Sequence, residues 1–405
     1  RRRRALAAVV AGQVVDAAIT GPDGTVTWVA PVLDHDGWSA RPLSGDLYGG
    51  TAGVAVLAAG YLREQAAGRA DEVPGLDRVL RSAMRTMRLA ERATGGPPLA
   101  GGYLGLGSRI WAWLLLRRLG AVGDDALEWA TALAGQVSRA AAEHPAHDVL
   151  AGRAGAIVPL LRLAEHTRDR RWAELAGELG DALVAAATPA AAESEVDTVC
   201  WPTDRFPEGV GGFAHGATGI GWALARLADV TGEQAHADTA AAAFAYERTL
   251  YDPERGGWRD LREEGRVGGA WCHGGAGIGV AAVDLLGLGG PYADDWRETV
   301  RVAAASSWEQ GVGWNHTLCH GDLGVWEIVT EAIARDLGPG GLDRSTVDAH
   351  VVGAVEEFGV VTGLARDVFV PGLLPGAAGV AYQLLRLHPE CRLPSVLRPD
   401  PGPAK

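Results

Sequence analysis

Two cysteine-histidine pairs, each running into a glycine turn, are the residues here most suited to chemistry: Trp271-Cys272-His273-Gly274 and Leu318-Cys319-His320-Gly321. Zinc prefers thiolate and imidazole, so Cys272, Cys319 and one or both of His273 and His320 could supply three or four ligands. Three ligands would leave a coordination position for a substrate; four would make a closed structural site, and spacing alone leaves both open. A third histidine, in Phe213-Ala214-His215-Gly216, holds the same register one residue before a glycine, and Asp148 stands four residues before Gly152. Because His215 shares its register with two metal-type histidines, it is a candidate for chemistry rather than for core packing.

These pairs sit in a repeat. Gly-x-x-Gly or a near copy recurs at Gly50 to Gly53, Gly105 to Ser108 (second glycine replaced), Gly152 to Gly155, Gly216 to Gly219, Gly274 to Gly277, Gly321 to Gly324 and Gly376 to Gly379. Each copy opens an apolar run, such as Ile220-Gly221-Trp222-Ala223-Leu224, and amphipathic Ala-rich stretches such as Trp172 to Ala187 lie between the copies. A spacing of roughly 45 to 65 residues accommodates two helices and their connections. The pattern predicts an all-α toroid of seven inner and seven outer helices, with an open solenoid as the rival. Strand signals are few, and Thr25 to Val32 is the main candidate for an extended piece. Glycine at the start of each inner helix would allow close packing and positive φ, and would align the helix N-termini on one rim. Their partial positive charge would then favour a developing anion there.

The chain reads as a single domain over residues 1–405, with no linker and with a Pro-containing tail from about 394 expected to fray. A formal net charge of -13 argues against a nucleic-acid surface and suits a cationic or neutral peptide partner. Lysine occurs only at Lys405, so arginine carries nearly all positive charge. Four widely spaced cysteines make no disulfide framework and fit a reducing cytoplasm, with Cys200 and Cys391 as unpaired thiols. No apolar run approaches a membrane span. Arg1 to Arg4 followed by Ala5 to Ala11 mimics a signal peptide, yet Gln13 and Asp16 interrupt the apolar stretch and continue a helical pattern.

The segments Gly211 to Ile220, Trp271-Cys272-His273-Gly274 and Asn315 to Gly324 resemble those of the lanthipeptide cyclases, above all the C-terminal cyclase domain of class II lanthipeptide synthetases. Val26-Thr27-Trp28, Asp148-Val149, Tyr246-Glu247-Arg248 and Pro371 to Leu387 extend the resemblance over nearly the whole chain. It implies zinc held by Cys272, Cys319 and His320, with the fourth position left for water or a substrate cysteine. It further implies His215 as the proton-transferring histidine, Asp148 as its support and His273 as a supporting or acid/base neighbour. His316 and Asp322 fit the pattern as residues that orient the ligand loop.

The implied reaction adds a peptide cysteine thiolate to a dehydroalanine or dehydrobutyrine of the same dehydrated precursor peptide, closing a thioether ring. The dehydratase that class II enzymes carry ahead of the cyclase has no counterpart in these residues, so a dehydratase domain or protein is an expected partner. A class IV synthetase, with lyase and kinase domains, shares the same ligands. Ser108 and the Gly275-Ala276-Gly277 turn, where many relatives have proline, depart from the pattern without touching a ligand. Two other readings use the same residues differently: a zinc-stabilised toroid that binds a peptide or glutathione-like thiol without catalysis, and an α/α-barrel carbohydrate or terpenoid enzyme built on carboxylates.

Overall fold

The structure is a computed structural model and describes residues 1–34, 37–90, 98–190, 196–289, 293–364 and 368–402. Its helices, in chain order, are α1 (Arg2–Asp16), α2 (Thr51–Ala66), α3 (Leu76–Ala90), α4 (Leu106–Leu119), α5 (Asp125–Ala134), α6 (Val137–Glu143), α7 (Arg153–Thr167), α8 (Arg171–Ala186), α9 (Ala217–Thr231), α10 (Gln234–Thr249), α11 (Gly275–Leu288), α12 (Ala293–Gln310), α13 (Asp322–Ile333), α14 (Arg344–Phe358) and α15 (Ala377–Arg386). The helices opened by the glycine turns, α2, α4, α7, α9, α11, α13 and α15, form the inner ring. In α2 every residue from Thr51 to Tyr61 is buried, as expected of a helix enclosed on all sides. The outer helices bury one stripe only: α3 buries Leu76, Val79, Leu80, Ala83 and Met87.

Helices α3, α5, α8, α10, α12 and α14 each pack on the inner helix of their own repeat, and α1, first in the chain, packs on α15, the last. The outer layer of the second repeat is broken into α5 and α6 at Gly135-Gln136. Successive inner helices touch around the ring from α15 through α2 to α13. The remaining seam, between α13 and α15, is polar: Gln383 Nε2 donates to Leu323 O at 3.2 Å and to Glu327 Oε2 at 2.9 Å, and Arg386 pairs with Glu327. The toroid is therefore closed.

A continuous circle of backbone hydrogen bonds marks one rim. The residue two before each turn glycine donates its N–H to the corresponding residue of the next repeat: Tyr48 to Tyr103, Tyr103 to Leu150, Leu150 to Ala214, Ala214 to Cys272, Cys272 to Cys319, Cys319 to Leu374, and Leu374 back to Tyr48. Sequence periodicity becomes spatial register here, because equivalent residues of all seven repeats lie at one level. Within each loop the first helical N–H is largely spoken for: Thr51, Leu106, Arg153, Ala217, Asp322 and Ala377 donate to carbonyls seven residues back. This loop geometry satisfies helix-end donors that would otherwise face an anion.

Two expectations change. Positive φ is not what the turn glycines share, since only Gly105 (φ 122°) and Gly274 (φ 130°) adopt it. Close approach is the common requirement: a Cβ on Gly219 or Gly379 would overlap the carbonyl oxygen of Phe213 or Leu373. Ser108 is accommodated by turning its hydroxyl back onto Gly105 O at 2.6 Å.

The second change concerns the tail, which packs instead of fraying, up to the limit of the described residues at 402. Val396 and Leu397 are fully buried, and their carbonyls accept hydrogen bonds from Tyr103 Oη (3.1 Å) and Trp271 Nε1 (2.9 Å). Asp400 accepts from Arg162 (2.8 Å) and Arg226 (3.2 Å), and Arg398 reaches Asp284 at 2.6 Å. Those partners lie in the C-terminal halves of α7, α9 and α11, so the segment closes the end of the ring opposite the glycine turns. Proline removes donors, but apolar side chains and exposed carbonyls remain to be used.

The extended piece expected at Thr25 to Val32 is present as two short strands. Val26–Thr27 pairs with Ile19–Thr20, and Val29–Asp34 pairs with Gly37–Pro42 in a hairpin leading to the first turn. Among the described residues no helix is long and apolar enough to cross a membrane.

Candidate metal centre

Cys272 and Cys319 are neighbours in the backbone circle, with Cys272 N donating to Cys319 O at 3.2 Å. That one bond brings together thiols from the fifth and sixth repeats. The ligand atoms of Cys272, Cys319 and His320 all lie within 4.8 Å of one another. A metal bonded at about 2.0–2.3 Å to each would span that separation, and two sulfurs with one imidazole suit zinc. The residues present therefore fit the ion. His273, though next to Cys272, does not join this cluster.

The three candidate ligands are held in part by groups distant in sequence. Tyr48 Oη, from the first repeat, donates to Cys319 Sγ at 3.1 Å. The His320 ring hydrogen-bonds to the Thr362 backbone, and its Nε2 edge faces Gly363. An imidazole committed on one side to a carbonyl presents its other nitrogen in a defined tautomer. Asn315 Oδ1 accepts from Thr317 N at 2.9 Å, and Asn315 Nδ2 donates to His320 O at 3.2 Å. His316 Nδ1 accepts from Val361 N at 3.3 Å, and Asp322 Oδ1 from Gly313 N at 2.8 Å. These two bonds tie down the loop that carries Cys319 and His320.

Electrostatics separates the two thiols. A hydrogen bond from Cys319, with Arg262 and His215 close by, brings the Cys272 thiol down to about 7. The same bond, with burial, pushes the Cys319 thiol well above its usual range. Cys272 is the first to become thiolate.

His215 stands beside this cluster. Its Nδ1 donates to Asp148 Oδ2 at 2.8 Å, and its ring is more than a third exposed. The His273 ring stacks on it, with centroids 4.9 Å apart and planes 17° from parallel. Burial, Arg262 and His215 push His273 down to about 3, so it is neutral at ordinary pH. The other oxygen of Asp148 accepts from Ala151 N and Gly152 N, each at 2.8 Å. One carboxylate thus shapes its own loop and aims a histidine from the next. Asp46, four residues before Gly50, performs the first task alone, accepting from Gly49 N at 3.1 Å.

Sequence reasoning missed several contributors. Tyr48 carried a usable signal, since it holds the same register before its glycine as Cys272 and Cys319. Arg262 carried none: it comes from the turn between the short strands Gly257–Arg259 and Val267–Gly268, held by Asp260 Oδ1 and Oδ2 at 2.8 and 2.6 Å. Thr362 and Leu397 contribute carbonyls, which no side-chain pattern reports.

Residues 41–398 match the sequence model of the family described as lanthionine synthetase C-like protein. Among solved structures the chain is similar to nisin cyclase, with a TM-score of 0.61 and 17% identity over 84% of this chain and 88% of that one. At that identity the likeness is one of fold, an α/α toroid. Weaker likenesses are to an α-1,6-mannanase variant from a Salegentibacter species (TM-score 0.45, 15% identity, 70% of this chain and 89% of that one) and to a D-mannose isomerase (TM-score 0.43, 13% identity, 94% and 96%). No curated protein matches the chain.

Proposed function

The chain belongs to the lanthionine synthetase C-like family, and on that footing we propose that it is a zinc-dependent lanthipeptide cyclase. Its substrate is a dehydrated precursor peptide, made by a dehydratase domain or protein, and the chain is the cyclase part of a larger class II type synthetase working in the cytoplasm. The observation that carries this reading is the three-member cluster of Cys272, Cys319 and His320 beside the His215–Asp148 pair. A three-ligand set leaves a coordination position for a substrate thiol. Bound by these residues, zinc would lower the pKa of that thiol and supply it as a thiolate at neutral pH.

The chain's own residues divide the remaining work. Thiolate addition to the β-carbon of dehydroalanine or dehydrobutyrine forms the C–S bond and moves the alkene electron pair toward the carbonyl as an enolate. A proton must then reach Cα. Nδ1 of His215 is committed to Asp148, so Nε2 is the nitrogen left to carry that proton. His273, neutral and mostly buried, supports the ring of His215 by stacking and is the second candidate for the transfer. Arg262 adds positive charge where thiolate and enolate form.

The test is to incubate the protein with a dehydrated, cysteine-containing peptide and follow thiol loss by alkylation and mass spectrometry, with zinc present, chelated and restored. Ring closure should stop on chelation and return with zinc. A protein that takes up one zinc per chain yet leaves dehydrated peptides uncyclised would instead be a thiol-binding toroid.

A further inference from the structure

The segment that closes the far end of the toroid also reaches the underside of the metal loop. Trp271 immediately precedes Cys272, and its ring is buried, edge-on to Tyr103 at 4.8 Å and tilted against Phe213 at 5.9 Å between centroids. Its indole N–H donates to Leu397 O at 2.9 Å. Tyr103, whose backbone belongs to the rim circle, donates its hydroxyl to Val396 O at 3.1 Å. Two adjacent carbonyls of the C-terminal segment thus fasten two rim loops from beneath.

The segment is itself anchored on both sides of those carbonyls. Tyr382 Oη donates to Pro394 O at 2.9 Å. On the other side Asp400 is gripped by Arg162 through Nε at 2.8 Å and Nη2 at 3.0 Å, with Arg226 adding a third bond. Only residues 398 and 399 separate Leu397 from that anchor. Side chains buried at both places leave little slack, so Leu397 O is a fixed post on which Trp271 hangs.

We propose that residues 394–402 are a positioning device for the metal centre: held at the far mouth by Asp400, they set the height of Trp271, and through it the placement of Cys272 relative to Cys319 and His320. This rests on the reading that those three residues hold a metal. Groups that orient a ligand without touching the metal commonly change affinity by about 10–100-fold when removed. Here the orienting group is a backbone carbonyl of another segment, so the donor is the removable partner.

The experiment uses the full chain. Trp271→Phe keeps an aromatic ring and removes the N–H. Its matched control is Trp201→Phe, which removes a similar buried indole bond, to Leu183 O at 2.9 Å, away from the site. Zinc affinity is measured by chelator competition, and ligand geometry by the visible spectrum of the cobalt-substituted protein. Trp271→Phe should bind zinc about tenfold more weakly with a shifted cobalt band, while Trp201→Phe should match wild type in both. Equal affinity and an unshifted band in Trp271→Phe would overturn the inference, as would an equal loss in the control. Asp400→Asn provides a second measurement should Trp271→Phe fail to fold: its zinc should dissociate several-fold faster, and an unchanged dissociation rate would refute the link to the far mouth. Wild type that binds no zinc at all would defeat the metal reading itself, a distinct result.

Discussion

The two ends of this toroid are built from opposite materials. At the glycine rim, thiols and imidazoles sit in loops whose backbones are tied in a circle, and His215 is left more than a third exposed. At the far mouth, buried arginines and aspartates are paired: Asp400 with Arg162 and Arg226, Asp284 with Arg226, Arg398 and the Trp222 indole at 2.8 Å. Burial pushes the Asp400 carboxyl up, but the Arg162 hydrogen bonds and both guanidinium charges outweigh it, and the group is held down at about 2. The contrast teaches where function and stability are stored. One rim keeps a partly exposed imidazole close to its thiols, while the other pairs its charges and closes the ring.

If that division is right, substitutions at the two ends should fail in different assays. The largest effect is expected for Cys319→Ala. Losing one of three ligands should empty the site of zinc and slow ring closure by at least about a thousandfold, while thermal unfolding of the zinc-free proteins stays similar. Full zinc occupancy in that variant would remove Cys319 from the ligand set.

Next comes His215→Ala, which should retain zinc and fold while ring closure slows by on the order of a hundredfold. The rate of thiol loss at saturating zinc reports it, and an unchanged rate would pass the proton transfer to His273 or to water.

At the far mouth the order reverses. Asp400→Asn should destabilise the fold by about 2–3 kcal/mol in denaturant titration and leave the rate at saturating zinc within about threefold of wild type. Because the folded-state pKa is depressed from 3.8 to about 2, the carboxylate's contribution is fully present above pH 4 and is lost as pH falls through about 2. Wild type should show that acid-dependent loss of about 2 kcal/mol, and Asp400→Asn should lack it. Identical acid titrations would mean that the arginines are not what holds the segment down.

The smallest effect sharpens the rim side. Asp46→Asn should cost about 1 kcal/mol by weakening a loop cap with little change in rate, whereas Asp148→Asn should also slow ring closure because it alone aims a histidine. Equal rates in the two variants would reduce Asp148 to a cap.

The repeat made much of this legible in advance. Seven glycine turns, each opening an apolar helix, specify seven enclosed helices because a helix apolar on every face must be surrounded. Cys272 and Cys319 were legible for a related reason: equal register in successive repeats puts them side by side once the ring closes, while the choice of His320 over His273 came from the family resemblance. His215 followed from register as well, whereas Asp148 as its support was implied by the family resemblance.

What periodicity does not encode is contact between unlike parts of the chain. Tyr48 reaches Cys319 only because the first repeat closes the ring near the sixth. Arg262 enters from a turn outside the repeat. The tail after Pro394 reads as loose because its prolines and scattered charges have no local pattern; its stability comes from Arg162, Arg226 and Asp284, whose spacing along separate inner helices says nothing about a common partner. Sequence alone determined the ring, its repeat count and the residue types on its rim, because those follow from local pattern and repetition. Tertiary structure alone decided that the turn glycines serve close approach more than positive φ and that the far mouth is closed, because each depends on distances between segments that only the folded chain brings together.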